Sequence, residues 1–95
     1  MALARVVSFD GVDGDRLAAL VGRMRSDDGP PPEVAASELV MLHDAEGGRA
    51  LAVLFFDSED DYSRADAALS AMPADETPGR RASVAKYEVV LRRTT

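Results

Sequence analysis

The pattern of apolar and polar positions along the chain predicts six secondary-structure elements. Apolar runs rich in β-branched or aromatic residues predict strands at 3–9, 38–43, 49–56 and 83–91. Two segments between these runs carry apolar residues three or four positions apart, which predicts amphipathic helices. The two apolar stripes are Leu17, Leu20, Val21 and Met24, and Tyr62, Ala65, Leu69 and Met72. The predicted element order is therefore β-α-β-β-α-β.

Residues that cap helices or form turns mark the ends of these elements. Asp13 and Ser58 are expected to be N-caps, because short polar side chains accept hydrogen bonds from free backbone N–H groups at a helix start. The first helix is expected to end near Ser26, since residues 27–32 (DDGPPP) cannot continue it. The two glycines in residues 45–48 (AEGG) allow positive φ and predict a hairpin between the second and third strands.

This order is that of the ferredoxin-like α+β fold, a four-stranded antiparallel sheet with both helices on one face. A length of 95 residues fits one domain, so we assign residues 1–95 to a single ferredoxin-like domain. The first and third strands are apolar on both faces, and they are therefore expected in the centre of the sheet.

The central strands also predict an association between two copies of the chain. Two helices cover one face of the sheet, yet apolar side chains alternate onto both faces of these strands. Soluble monomers rarely expose a large apolar patch, and two-fold homodimers are the commonest oligomers. The sequence therefore predicts a homodimer through the sheet face. Alternation alone leaves open which set of residues faces the helices and which faces the partner.

Composition narrows the classes of function. The absence of cysteine excludes a disulfide framework, a thiolate metal site and a cysteine nucleophile, and a single histidine excludes a multi-histidine metal site within one chain. A net charge of -6 disfavours nucleic acid and anionic membranes as partners. No apolar run approaches the ~20 residues that span a bilayer, and the amino-terminal residues lack the pattern of a signal peptide. These features predict a cytoplasmic protein, and the lack of Asn, Gln and Ile is typical of a GC-rich, bacterial genome.

Two segments resemble antibiotic-biosynthesis-monooxygenase-like domains. Residues 47–72 (GGRALAVLFFDSEDDYSRADAALSAM) resemble their strand–helix segment, and residues 80–90 (RRASVAKYEVV) resemble their last strand. The resemblance implies a dimeric α+β barrel. Members include cofactor-independent quinol-forming monooxygenases, haem-degrading enzymes and proteins of no known activity. The haem-degrading branch uses Asn, His and Trp, and this chain has neither Asn nor Trp. Haem degradation is therefore not expected, and no cofactor is predicted.

His43 is the candidate catalytic residue, because it is the only side chain whose ordinary pKa lies near neutrality. It lies at the end of the second strand. It is either a general base or ligand contact in a cavity between sheet and helices, or a polar residue at a strand end. Asp44 follows it directly and is expected on the opposite face, so spacing alone does not make the two a dyad.

Tyr62 and Tyr87 are candidate ligand-binding residues, since each lies on an apolar stripe and carries a hydroxyl group. The alternative for both is a core aromatic with a satisfied hydroxyl. The acidic run around Glu59 is explained by the favourable placement of carboxylates at a helix start, so no metal site is predicted.

Three functions remain open from the sequence. The first is a small dimeric α+β barrel that binds a small apolar or aromatic ligand. The second is a cofactor-independent monooxygenase or isomerase acting on an aromatic metabolite, with His43 as the base and a tyrosine orienting the substrate. The third is a non-enzymatic interaction module.

Overall fold

The computed structural model describes residues 2–26, 33–72 and 77–94, and it contains the six elements in the predicted order. The elements are β1 (Leu3–Asp10), α1 (Gly14–Ser26), β2 (Glu38–Asp44), β3 (Arg49–Phe56), α2 (Glu59–Ser70) and β4 (Arg80–Glu88). Helix α1 is described through Ser26, and residues 27–32, which are predicted to stop it, lie outside the described residues. The predicted bounds of the fourth strand, 83–91, are wrong at both ends, since β4 begins at Arg80 and ends at Glu88.

The four strands form one antiparallel sheet in the order β2-β3-β1-β4. Strands β1 and β3 are central, which confirms the prediction from their apolar character. Val53 of β3 lies opposite Val6 of β1 and Val40 of β2, and this register fixes which side chains share a face. The ferredoxin-like α+β arrangement is confirmed.

The helix face of the sheet carries the core. Phe56 is fully buried and meets Tyr62 of α2 edge to face, with the ring centroids 5.6 Å apart. Val34, which precedes β2 and belongs to none of the predicted elements, is also buried in this cluster. The buried cluster consists of Leu3, Val34, Leu54, Phe56, Tyr62 and Ala65. Helix α2 is thereby fixed on β1 and β3.

One charged side chain is buried on the same face. The Arg5 side chain is 3% exposed, and its Nε donates to Oδ1 of Asp66 at 2.9 Å. Its Nη2 donates to Oγ of Ser70 at 3.4 Å. An ion pair and a hydrogen bond to a hydroxyl therefore connect the central strand β1 to the C-terminal half of α2. These contacts offset the free-energy cost of desolvating the guanidinium.

The opposite face, which we call the open face, is the one that the helices leave uncovered. Its apolar side chains follow from the register and are Ala4, Val6, Val40, Leu42, Leu51, Val53, Phe55, Ala85 and Tyr87. Leu42 is 50% exposed and Tyr87 57% exposed. The structure therefore answers the question that alternation left open, since Leu54 and Phe56 face the helices while Val53 and Phe55 face outward.

Candidate functional site

His43 lies on the edge strand β2, close to the β2–β3 hairpin, and its side chain is exposed. In the register it is level with the buried Ala50 and Phe9, so it belongs to the helix face. Asp44 is the next residue and therefore belongs to the opposite face.

The carboxylate of Asp44 is engaged in the hairpin turn. Its Oδ1 accepts from the backbone N–H of Gly47 at 2.9 Å, and its Oδ2 accepts from Nη2 of Arg49 at 3.0 Å. These two contacts, the Gly47 N–H first, hold the pKa of the Asp44 carboxyl below its ordinary value. A side chain at Gly47 would collide with Oδ2, whereas Gly48 is required by its φ of 64°. Asp44 therefore stabilises the turn.

The start of α1 is anchored to the same hairpin. Gly11 takes a φ of 59°, and the next residue, Val12, donates its N–H to the carbonyl of Gly48 at 2.9 Å. Asp13 caps the helix by accepting from the N–H of Asp15 at 2.9 Å, as the sequence predicted. Helix α1 therefore begins beside the hairpin on which His43 lies.

Helix α1 packs on the sheet less fully than α2 does. Of its predicted apolar stripe only Leu17 is buried, Leu20 and Val21 are half-buried, and Met24 is 38% exposed. Space therefore remains between this helix and the edge strand β2.

That space is a groove of about 420 Å³, which we call the α1–β2 groove. Its lining residues are Gly14, Leu17, Ala18, Val21, Gly22, Arg25 and His43. The volume lies within the range of small-ligand sites, about 300–1,000 Å³. The groove combines an apolar wall from α1 with two side chains, Arg25 and His43, that can donate hydrogen bonds.

A second depression of about 440 Å³ lies at the hairpin end of the sheet. It is lined by Ser8, Asp10, Leu42, His43, Asp44, Arg49, Ala50 and Leu51. Ser8, Leu42 and Leu51 belong to the open face, and the Asp44–Arg49 pair forms its charged rim. The charged side chains Asp44 and Arg49 of this depression bind each other. The hydrogen-bond donors of the α1–β2 groove, Arg25 and His43, are therefore better placed to bind a ligand.

Tyr62 lies away from both depressions. It is buried under α2 against Phe56, and the Lys86 ammonium lies 4.9 Å from the centroid of its ring. Burial, followed by the neighbouring Asp66 carboxylate, raises the pKa of the Tyr62 hydroxyl. This environment matches the core alternative, and a ligand role for Tyr62 stays a prediction.

Tyr87 lies on the open face of the edge strand β4 and lines neither depression. Within one protomer, the structure therefore brings neither tyrosine to His43. A ligand role for Tyr87 also stays a prediction, and it requires a second molecule on the open face.

The acidic residues at the start of α2 have the local role expected from their position. Glu59, Asp60 and Asp61 occupy its first turn, and Ser58 Oγ accepts from the N–H of Asp61 at 3.2 Å. Among residues 2–26, 33–72 and 77–94, no group of three or more acidic, His or Cys side chains is arranged to hold a metal ion. Neither described helix is long and apolar enough to cross a membrane.

Sequence reasoning missed the helix wall of the α1–β2 groove. Gly14, Ala18, Gly22 and Arg25 recur at spacings of four, four and three, which places them on one face of α1. That spacing was visible in the sequence, but what the face lies against depends on the position of α1 relative to β2.

Comparison with solved structures shows the same architecture in two bacterial proteins. One is a protein from Chloroflexus aurantiacus J-10-fl described as an antibiotic biosynthesis monooxygenase, with a TM-score of 0.63, 11% identity and coverage of 99% of this chain and 98% of that one. The other is Rv0793 from Mycobacterium tuberculosis, with a TM-score of 0.57, 16% identity and coverage of 99% and 100%.

No protein-family model matches the sequence, and no curated protein matches it either. TM-scores of 0.63 and 0.57 over nearly the whole chain establish a common fold, and at identities of 11% and 16% the likeness shows the fold alone. The chain therefore has the α+β fold of antibiotic-biosynthesis-monooxygenase-like proteins, which confirms the predicted resemblance at the level of architecture.

Proposed function

We propose that the protein is a homodimer that binds a small apolar or aromatic molecule in the α1–β2 groove. The observation that carries this proposal is the groove itself, with an apolar wall from Leu17, Ala18 and Val21 and donors from Arg25 and His43. Small-molecule sites combine mainly apolar walls with a few polar groups that fix orientation. The groove has both parts.

The open face supports the homodimer. It presents apolar side chains on all four strands, and Leu42, Leu51 and Tyr87 among them are exposed. Beyond β4, Val90 is 90% exposed and Leu91 is 78% exposed, so two further apolar side chains next to the sheet edge are in contact with solvent. A second copy presents the same surface and covers both faces at once. The groove lies on the helix side of the sheet, so it stays open in such a dimer.

The groove proposal is tested by filling the groove from its helix wall. A Cβ at Gly22 meets no atom within 4 Å, so a Gly22→Leu side chain has space to enter the groove. Replacing a glycine inside a helix also stabilises the helix by up to about 1 kcal/mol, so the fold is expected to persist. We expect 2-naphthol to shift backbone amide signals of the groove residues in the wild-type protein and not in this variant, as followed by ¹H–¹⁵N correlation spectra.

Ala19→Leu is the matched control, because Ala19 is exposed on α1 and does not line the groove. This variant adds the same side chain to the same helix and is expected to bind as the wild type does. Groove amides that do not respond to 2-naphthol, or an unchanged response in Gly22→Leu, would contradict the proposal.

A second candidate function is a cofactor-independent monooxygenase or isomerase that acts on an aromatic metabolite. It is favoured by the accessible His43 imidazole in the groove and by the Chloroflexus protein of the same fold, which is described as a monooxygenase. In an isomerase, His43 takes a proton from one carbon of the substrate and returns it at another. In a monooxygenase, His43 takes the proton of a phenolic hydroxyl and the phenolate supplies the electrons to dioxygen. One oxygen atom is inserted into the ring, which becomes a quinone, and the other leaves as water.

His43→Ala separates this enzyme from a binding protein. For an enzyme, we expect the variant to lose at least about a hundredfold in kcat, the usual contribution of a general base, while the circular dichroism spectrum stays unchanged. The measurement is turnover of a panel of naphthols and naphthoquinols with oxygen uptake. A substrate that is converted equally fast by wild type and variant would exclude His43 as the base.

A further inference from the structure

We propose that the ligand of the α1–β2 groove is an aromatic carboxylate whose carboxylate binds at Arg25. This inference rests on the proposed ligand groove and adds the charge and orientation of the ligand.

The first observation is the sign of the charges that line the groove. The chain carries 17 acidic and 11 basic residues, so a random patch of its surface is more often negative than positive. The described lining nevertheless contains two side chains that can be cationic, Arg25 and His43, and no carboxylate. Among the described lining residues, the groove therefore offers basic side chains without an acidic one, which favours an anionic ligand.

The second observation is that both groups are available. In the described part of the chain, neither Arg25 nor His43 takes part in a hydrogen bond or an ion pair. Other arginines are engaged, since Arg5 pairs with Asp66, Arg49 with Asp44 and Arg92 with Glu38. A guanidinium without a protein partner can bind a carboxylate through two parallel hydrogen bonds.

The third observation is the shape of the groove. Gly14 and Arg25 are separated by about 16 Å of helical rise. His43 lies near the hairpin, where α1 begins, and Arg25 lies in the last turn at the other end. Leu17, Ala18 and Val21 lie between them along the helix. An elongated ligand therefore places its rings against these apolar residues and its carboxylate at Arg25.

The alternative role for Arg25 is favourable placement of a cation at the C-terminal end of α1. Arg23 shares that turn and is exposed, but it does not line the groove. A stabilising effect on the helix end applies to both arginines, whereas recognition of a carboxylate applies to Arg25 alone. The two arginines therefore form a matched pair for the experiment.

The experiment compares 2-naphthoate with its neutral analogue 2-naphthamide on the full chain, at one pH and ionic strength, with ¹H–¹⁵N correlation spectra as the readout. We expect the wild-type protein to bind 2-naphthoate with a Kd at least tenfold lower than that of 2-naphthamide, with shifts at the groove residues. Arg25→Gln is expected to reduce this ratio to about one, and Arg23→Gln is expected to keep it.

Equal affinities of the wild-type protein for the two probes would overturn the carboxylate inference and leave the groove as a site for neutral aromatics. An equal loss of discrimination in Arg23→Gln and Arg25→Gln would overturn the assignment to Arg25. If neither probe nor 2-naphthol perturbs the groove amides, the ligand groove itself is wrong, and this inference fails with it.

Discussion

Leu54→Asp is expected to unfold the protein, whereas Val53→Asp is expected to leave it folded and to separate the proposed dimer. The two residues are neighbours on β3 and are similar in size and polarity. Leu54 is 8% exposed and packs in the core cluster under α2. Val53 lies on the open face between Val6 and Val40. The two substitutions are expected to have opposite outcomes because Leu54 lies on the helix face of the sheet and Val53 on the open face.

The size of the first effect follows from two costs. Removing a buried leucine side chain costs about 2–5 kcal/mol, and an unpaired carboxylate in the core adds several more. Small domains have about 5–15 kcal/mol of stability in total, so Leu54→Asp leaves little or none. Val53 is half-buried on the open face, so the Val53→Asp carboxylate keeps contact with water in the monomer, and two like charges are buried together only if two open faces meet.

The measurement is circular dichroism for folding and light scattering after size-exclusion chromatography for mass, at micromolar concentration. Val53→Thr, which keeps the shape without a charge, is the control and is expected to remain dimeric. A wild-type monomer would contradict the dimer, as would a dimeric Val53→Asp protein. A folded Leu54→Asp protein would contradict the assignment of faces.

This pair of residues also shows how far the sequence could predict the fold. Alternation placed neighbouring side chains of β3 on opposite faces, and that part was correct. Which face meets the helices depends on the long-range register of β3 with β1 and on the packing of Phe56 against Tyr62. Those contacts join residues distant in sequence, and no local pattern encodes them.

The start of β4 illustrates a related limit. The apolar pattern began the fourth strand only at residue 83, because Arg80 and Arg81 are polar and directly follow Pro78-Gly79, a dipeptide typical of turns. In the structure they pair with Asp10 and Phe9 at the end of β1. Backbone pairing with a long central strand overrides the local preference of two arginines.

The candidate site was predictable only in part. His43 was identifiable because it is the only histidine, and the expected position at a strand end is correct. The groove beside it depends on the position of α1, which is set in part by the hydrogen bond from Val12 to Gly48. Arg25 gave no signal by itself, because an arginine near the end of a helix is explained by the helix dipole.

The second large effect is expected at the ion pair between the buried Arg5 and the partly exposed Asp66. Asp66→Ala removes the charge partner of a guanidinium that is 3% exposed. Removing one member of a buried pair costs about 3–5 kcal/mol, because the remaining charge stays desolvated. The Asp66 side chain is 44% exposed, so water reaches this end of the pair and the loss is expected near about 3 kcal/mol.

The double variant Arg5→Met/Asp66→Ala tests that reason directly. Methionine fills much of the volume of the arginine stem without a charge, so we expect most of the lost stability to return, as it does where buried ion pairs are replaced by apolar residues. The free energy of unfolding is measured by urea denaturation at one protein concentration, since dimer formation makes it concentration-dependent. Asp60→Ala, an exposed carboxylate of the same helix, is the control and is expected to cost less than about 1 kcal/mol. If Asp66→Ala costs no more than this control, Arg5 does not depend on its partner, and the ion pair does not hold α2 on the sheet.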